Sequence, residues 1–265
     1  MYDEKQDFVQ HEGEVNEAFS LLAHLGLAVP ANGMLLDIGG GHGMHCGFLQ
    51  RDGATVVCSD VADYSSLYGG NFIQKIHEKY QRNGFPLDLA RCAFIRADAM
   101  HLLFRDRLFD ACMSFNAFEH IPDPRLAFAE VSRVLKPGGL AYISMDPIWT
   151  CDTGSHFFGR VPVPWQHLVS SEEQFREAMA SAGASQEELA DYPSAMNRRR
   201  LTDFERAVDR TLAEFPVELV HHDRYSAYSD SAFETHANFH RAVELGYSPE
   251  ELKLRRLRWV LRRTA

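Results

Sequence analysis

The chain has 265 residues, 45% of them hydrophobic and 24% charged. That is enough to bury a core without disulfides, and too balanced for a disordered, collagen-like or coiled-coil protein. A formal charge of −10 repels phosphate backbones and argues against nucleic acid as a partner.

No run of about 18 apolar residues occurs, so no membrane span is expected. The opening MYDEKQDFVQHEGE is acidic and polar, unlike a secretory signal or an Arg-rich transit peptide. Cys46, Cys58, Cys92, Cys112 and Cys151 form no C-x-x-C pair and read as free thiols in a reducing, cytoplasmic compartment.

Short apolar strands alternate with amphipathic segments through the first half. MLLDI (34–38) reads as a buried strand running into glycines, followed by a helix over 44–51 closed near Gly53. A strand over 54–60 comes next. Phe72, Ile73, Ile76 and Tyr80 then recur at helical spacing up to Gly84.

Strands are expected over 92–99 and 109–115. Asp123-Pro124 opens a helix, with the carboxylate as cap and proline in the first turn, and the helix stops at Lys136-Pro137-Gly138-Gly139. LAYISM (140–145) is a fifth strand. This rhythm predicts an α/β fold: a Rossmann-like, doubly wound, mostly parallel sheet with helices on both faces.

After Met145 the rhythm breaks into an irregular cover rich in Pro, Gly, Trp and His over 147–169. Helices are expected over 170–182, with Ser170 and Glu173 as a capping box, and after Thr202, with Thr202 and Glu205 as another. VELVHH (217–222) reads as a strand. In the last segment Leu257, Trp259 and Leu261 alternate with Arg256, Arg258 and Arg262, which predicts a strand with a solvated basic face. The whole is read as one domain, 1–265, with a core over 33–146, a cover over 147–250 and a final strand within 251–265.

DIGGGHG places Asp37, Gly39, Gly41 and Gly43 between a strand and a helix, where glycines let the backbone turn sharply and approach a ligand. A dinucleotide fingerprint wants a third glycine at the position of Met44, and Asp37 would repel a pyrophosphate, so a cationic nucleoside fits better. Asp60 and Asp98 end the next two strands. There a carboxylate can accept from ribose hydroxyls and from an exocyclic adenine amine, with the Ala99 amide donating to the ring.

These features, with the block FDACMSFNAFEHIPDPRLAFAEVSRVLKPGGLAYISM, resemble the class I S-adenosylmethionine-dependent methyltransferases, in the small-molecule branch that includes quinone-biosynthesis enzymes. The resemblance covers roughly 33–146. It implies a seven-stranded sheet whose last strand, here 257–261, is antiparallel and inserted. It implies S-adenosylmethionine as cofactor and S-adenosylhomocysteine as product. Asp37 and the glycines would lie along the methionine and ribose, Asp60 on the ribose, Asp98 and Ala99 on the adenine, and Asn116 beside the transferring methyl. The stretch before the final strand is longer than usual, so residues 230–250 are expected to hold an extra helix, at a homodimer contact or over the active site.

Methyl transfer to a hydroxyl needs in-line positioning and a base. His156 in DTGSHFFGR, His167 in PWQHL and His120 in EHIPD are the candidates, each weighed against a packing role; for His120 that role is bracing a turn. Phe8, His11, Phe157, Phe158 and Trp165 are candidate walls of the acceptor pocket. Neither His42/His45/Cys46 nor His221-His222-Asp223 has ligand spacing, so no metal is expected. The favoured function is methylation of a hydroxyl, ahead of an amine or carbon, on a small metabolite or sugar. The alternatives are a catalytically idle binding protein of this fold and an NAD-dependent oxidoreductase.

Overall fold

The computed structural model describes residues 4–226 and 233–265. Its strands are β1 (Met34–Ile38), β2 (Thr55–Asp60), β3 (Cys92–Arg96), β4 (Phe109–Phe115), β5 (Leu135–Met145), β6 (Val217–Ser226) and β7 (Leu254–Arg263). They form one sheet in the order β3-β2-β1-β4-β5-β7-β6. β1 to β5 pair in parallel, and β7 lies antiparallel between β5 and β6. The inserted antiparallel strand is the one expected, longer at both ends.

The helices are α1 (Glu4–His24), α2 (Cys46–Leu49), α3 (Leu67–Gly70), α4 (Phe72–Arg82), α5 (Pro124–Val134), α6 (Gln166–Val169), α7 (Glu172–Ser181), α8 (Gln186–Ala195), α9 (Leu201–Glu214), α10 (Ala237–Glu244) and α11 (Pro249–Lys253). Successive strand residues point to opposite faces, and both faces are covered. Leu36, Cys112, Ile143 and Trp259 pack with Phe128 and Val131 of α5 and Phe204 and Val208 of α9. Leu35, Val56, Met113 and Tyr142 pack with Val15 and Leu22 of α1, Phe48 of α2 and Tyr80 of α4. Each fully buried large side chain contributes about 1.5–3 kcal/mol, so the sheet is anchored from both sides.

Several boundaries differ from the sequence expectation for local reasons. α2 is one turn, because Gly43 to His45 belong to the preceding turn, and a short 3₁₀ turn over Arg51–Gly53 follows it. β3 stops at Arg96, because Asp98 turns the chain by accepting from the Met100 amide. The capping box at α7 is Ser171 with Gln174. Ser170 instead closes α6, its hydroxyl accepting from Gln166 Nε2. α9 begins at Leu201, where Asp203 accepts from the Arg200 amide, so Thr202 lies inside the helix and Glu205 pairs with Arg224. α8, opened by a capping box of Ser185 and Glu188, had no counterpart in the sequence reading.

The cover has its own small core, where Trp149, Trp165, Leu168, Phe239, Ala242 and Leu252 meet. α10 supplies the extra helix expected within 230–250 and packs into this cluster; residues 230–232 lie outside the described residues. Residues 251–253 belong to α11, so the final strand starts at Leu254.

The basic face of β7 is solvated at Arg262 but not at Arg258. Arg258 is 9% exposed. It pairs with Glu17 of α1 at 2.8 Å and with Asp223 of β6, while Arg256 pairs with Glu17 at 3.1 Å. α1 therefore lies across the inserted strand and is held there by charge as well as by apolar packing. Removing a partly desolvated, charged hydrogen-bond donor costs about 1.5–3 kcal/mol. Arg258→Ala is expected to lower stability by about 2 kcal/mol in urea unfolding; a loss below about 0.5 kcal/mol would mean that these pairs behave as ordinary surface bridges.

Candidate active site

At the carboxyl ends of β1, β2 and β4 lies a crevice of ≈ 560 Å³, bordered by Gly39, Asp60, Val61, Tyr64, Asp98, Ala99, Met100, Asn116 and His120. This is a volume typical of small-molecule sites. It brings together Gly39, Asp60, Asp98, Ala99, Asn116 and His120, six residues far apart in the sequence.

The wall is built by short-range bonding. Asp60, at the tip of β2, accepts from the Gly41 amide at 3.0 Å and from the Ala62 amide at 2.8 Å. Each oxygen keeps a second lone pair for a ligand. Gly39 has φ +68°, and a Cβ there would stand 2.3 Å from the Ala117 Cβ, so the loop and the β4–α5 turn touch only because residue 39 is glycine. A Cβ on Gly43 would strike the Phe94 ring. At Gly41 alone of the three a Cβ would meet no clash, only the Tyr64 hydroxyl at 3.9 Å, and the residue lines a neighbouring recess of ≈ 310 Å³. The glycines at 39 and 43 are thus required by packing within the chain, and Gly39 also borders the crevice.

Asp37 does not line the crevice. It is fully buried beneath the loop, with ligand atoms of Cys46 and Cys58 within 4.8 Å, and neither carboxylate oxygen has a hydrogen-bond partner. Burial pushes its pKa up to about 6 against the pull of His45, with Asp60 and Glu14 adding repulsion. Carboxyl groups therefore crowd this end of the crevice, which suits a cation.

Asn116 sits in a left-handed conformation (φ +50°) just beyond β4, its amide donating to Ser144 O at 2.9 Å. Its side chain donates to Glu14 Oε1 at 3.1 Å, and Glu14 Oε2 meets His45 Nε2 at 2.8 Å. Glu14 was missed in the sequence reading. It comes from α1, 102 residues away, and only tertiary packing brings it here. Tyr64, Val61 and Met100 were also missed, although Val61 and Met100 follow directly on Asp60 and the Asp98-Ala99 pair.

The three candidate bases separate clearly. His120 borders the crevice, and its Nδ1 bonds Ala195 O, so Nδ1 carries the proton and Nε2 keeps its lone pair. Burial lowers its pKa. His156 lies beside it with ring centroids 4.9 Å apart, and loss of solvation lowers its pKa to about 4. His167 is elsewhere: it is buried, with Nε2 on Trp149 O at 2.8 Å, and does not border the crevice.

The proposed pocket walls divide similarly. Phe8 is buried among Phe48, Tyr80 and Phe85, and Trp165 is buried with its indole on Leu252 O. Phe157 and Phe158 are half-buried in the cover, Phe157 against Tyr192. His11 packs its ring 4.9 Å from that of His45, and none of the five borders the crevice.

Glu119, beside His120, is 1% exposed, and its pKa is pushed to about 8 by burial, with the charge of Asp146 adding to the rise. Glu119, His120 and His156 place ligand atoms within 4.8 Å of one another, as do His11, Glu14 and His45. Each set joins residues distant in sequence, so a search for spacing motifs could not register it. His221 and Asp223 do bond each other, at 3.1 Å, while His222 stacks on Trp259.

Comparison with known proteins bears on this crevice. Residues 36–143 match the family model described as a methyltransferase domain. An uncharacterized methyltransferase of Mycobacterium sp. (strain JLS) is 32% identical over 130 residues, which cover 49% of this chain and 45% of that protein. Residues 36–143 thus carry a methyltransferase domain. The fold of the chain matches geranyl diphosphate methyltransferase in complex with S-adenosylmethionine (TM-score 0.54, 14% identity, 98% of this chain and 90% of that one). It also matches the phosphoethanolamine N-methyltransferase 2 of Haemonchus contortus (TM-score 0.53, 17% identity, 94% and 53%).

The chain spans a little under half the length of the mycobacterial relative, and the residues that line the crevice all fall within the 36–143 match. No helix among the described residues is long and apolar enough to cross a membrane.

The buried acid has a measurable signature. The Asp37 pKa is raised from 3.8 to about 6, so the folded chain holds a proton that the unfolded chain has released. Stability therefore falls as pH rises from about 4 to about 6. Asp37→Asn should remove that part of the dependence and raise stability at neutral pH by about 1–3 kcal/mol. The slope at higher pH contributed by Glu119 should remain. Urea unfolding across pH would contradict this burial if the two proteins kept parallel profiles.

Proposed function

We propose that this chain transfers a methyl group from S-adenosylmethionine to a hydroxyl of a small metabolite or sugar. The reading rests on one observation above all: the crevice joins the glycine loop, Asp60, Asp98 and Asn116 to a histidine whose free nitrogen is fixed by a backbone bond. The residues fit the cofactor. Asp60 has lone pairs for the ribose hydroxyls, Asp98 and Ala99 stand where the adenine would be read, and the crowded carboxyl groups of Asp37, Asp60 and Glu14 favour a positive charge near Asn116.

When bound, the cofactor supplies a methyl on a sulfonium, a leaving group that needs no acid. The chain then has to orient and to exclude water. Holding reactants in line contributes about 7–11 kcal/mol of the barrier. Glu14 holds the Asn116 amide, and so fixes the edge of the crevice nearest the reacting end. His120 takes the hydroxyl proton at Nε2 as the new bond forms, while its Nδ1–H stays on Ala195 O. His156 shields that ring from one side. A histidine of lowered pKa is unprotonated at neutral pH and able to accept the hydroxyl proton.

Calorimetry with S-adenosylhomocysteine should show saturable binding at one site per chain. Asp60→Asn, which keeps an oxygen for Gly41, should weaken it by about tenfold. A nicotinamide cofactor that bound while S-adenosylhomocysteine did not would overturn the reading.

His120→Ala should lower kcat by about 10²–10⁴-fold and leave cofactor affinity within about twofold. The pH–rate profile should rise through a pKa below the ordinary histidine value of 6.5. Unchanged turnover in His120→Ala would remove His120 as the base.

A further inference from the structure

Outside the crevice, a separate cleft of ≈ 290 Å³ opens between the start of α5 and the first turns of α9. Four arginines converge on it from three segments: Arg125 on α5, Arg199 in the preceding loop, and Arg206 and Arg210 on α9. Two carboxylates share the cleft, Asp123 and Asp203, which leaves it positive in a chain whose net charge is −10.

Both carboxylates are already engaged. Asp123 caps α5 through the Arg125 amide and accepts from the Arg125 guanidinium at 3.4 Å, and Asp203 accepts from the Arg200 amide at 3.0 Å, with Arg206 only loosely paired at 3.9 Å. Arg199 is held in place by two bonds to Pro122 O, at 3.1 and 2.8 Å. Arg210 makes no hydrogen bond or ion pair among the described residues. Arg206 and Arg210 are also one turn apart on the same helix face, an arrangement of like charges that disfavours the helix unless an anion lies between them. A planar guanidinium presents donors in a fork that matches phosphate oxygens, and a concave set of such forks is suited to a tetrahedral dianion.

We propose that this cleft binds a phosphate group, either as the free ion or as part of a small phosphorylated metabolite. The site stands apart from the methyl-transfer reading, since none of its four arginines borders the crevice. The group would sit against Arg206 and Arg210, with Arg125 and the anchored Arg199 closing the other side.

The test is calorimetry of the whole chain with inorganic phosphate, at ionic strength held constant with chloride. Saturable binding at one site is expected. Arg206→Ala/Arg210→Ala should weaken it by about tenfold or more while the melting temperature does not fall and S-adenosylhomocysteine binding stays unchanged. Phosphate binding no better than chloride, or equal in the double variant, would overturn the proposal. Glycerol 3-phosphate distinguishes the sources: affinity above that of inorganic phosphate marks a phosphorylated metabolite, and equal affinity marks the free ion.

Discussion

The crevice exists because the tip of β2 is fastened to the loop that leaves β1. One Asp60 oxygen accepts from the Gly41 amide and the other turns the chain at Ala62, so a single carboxylate sets the spacing between two strand ends. The opposite wall is fixed by the close approach of Gly39 to Ala117, which a side chain at residue 39 would prevent. Asp98, Asn116 and His120 are then carried to the same opening by the parallel order of the strands. Ligands bind at this end of an open α/β sheet because the loops there diverge.

Around that frame the charges are distributed unevenly. Asp37, Asp60 and Glu14 lie close enough for the charges of Asp60 and Glu14 to raise the pKa of the buried Asp37. His45 offsets part of this through its bond to Glu14. The same Glu14 reaches Asn116, so α1 closes one side of the site while Glu17, one turn on, fastens it to Arg256 and Arg258 of β7. The inserted last strand and the first helix thus support each other, and both line a small pocket that shares Asn116 with the crevice. A fold of this kind hosts many chemistries, so the functional weight rests on these side chains rather than on the sheet.

Much of this was legible in the sequence, because its signals are local. Strand-ending acids, a glycine turn and an Asp-Pro helix start each depend on a few neighbouring residues, and β4 and α5 began where those signals lie. Sheet order followed from the resemblance rather than from periodicity. What stayed hidden depends on distant contacts. Glu14 has no local mark of function, and Arg258 looks solvated until α1 and β6 are laid against it. His167 and Trp165 sit in a stretch of polar and aromatic residues that suggested a pocket, but they form the small core of the cover. His120 looked like a brace; its bond to Ala195 does brace the turn, and the same bond frees the other nitrogen.

The most direct test is hydrogen–deuterium exchange of the backbone with and without S-adenosylhomocysteine. Binding in the crevice should slow exchange at residues 38–43, 60–64, 97–100 and 116–121 together, and leave the outer helices α7 and α8 unchanged. Protection confined to the cover, or no change at the glycine loop and the Asp98 turn, would contradict the account.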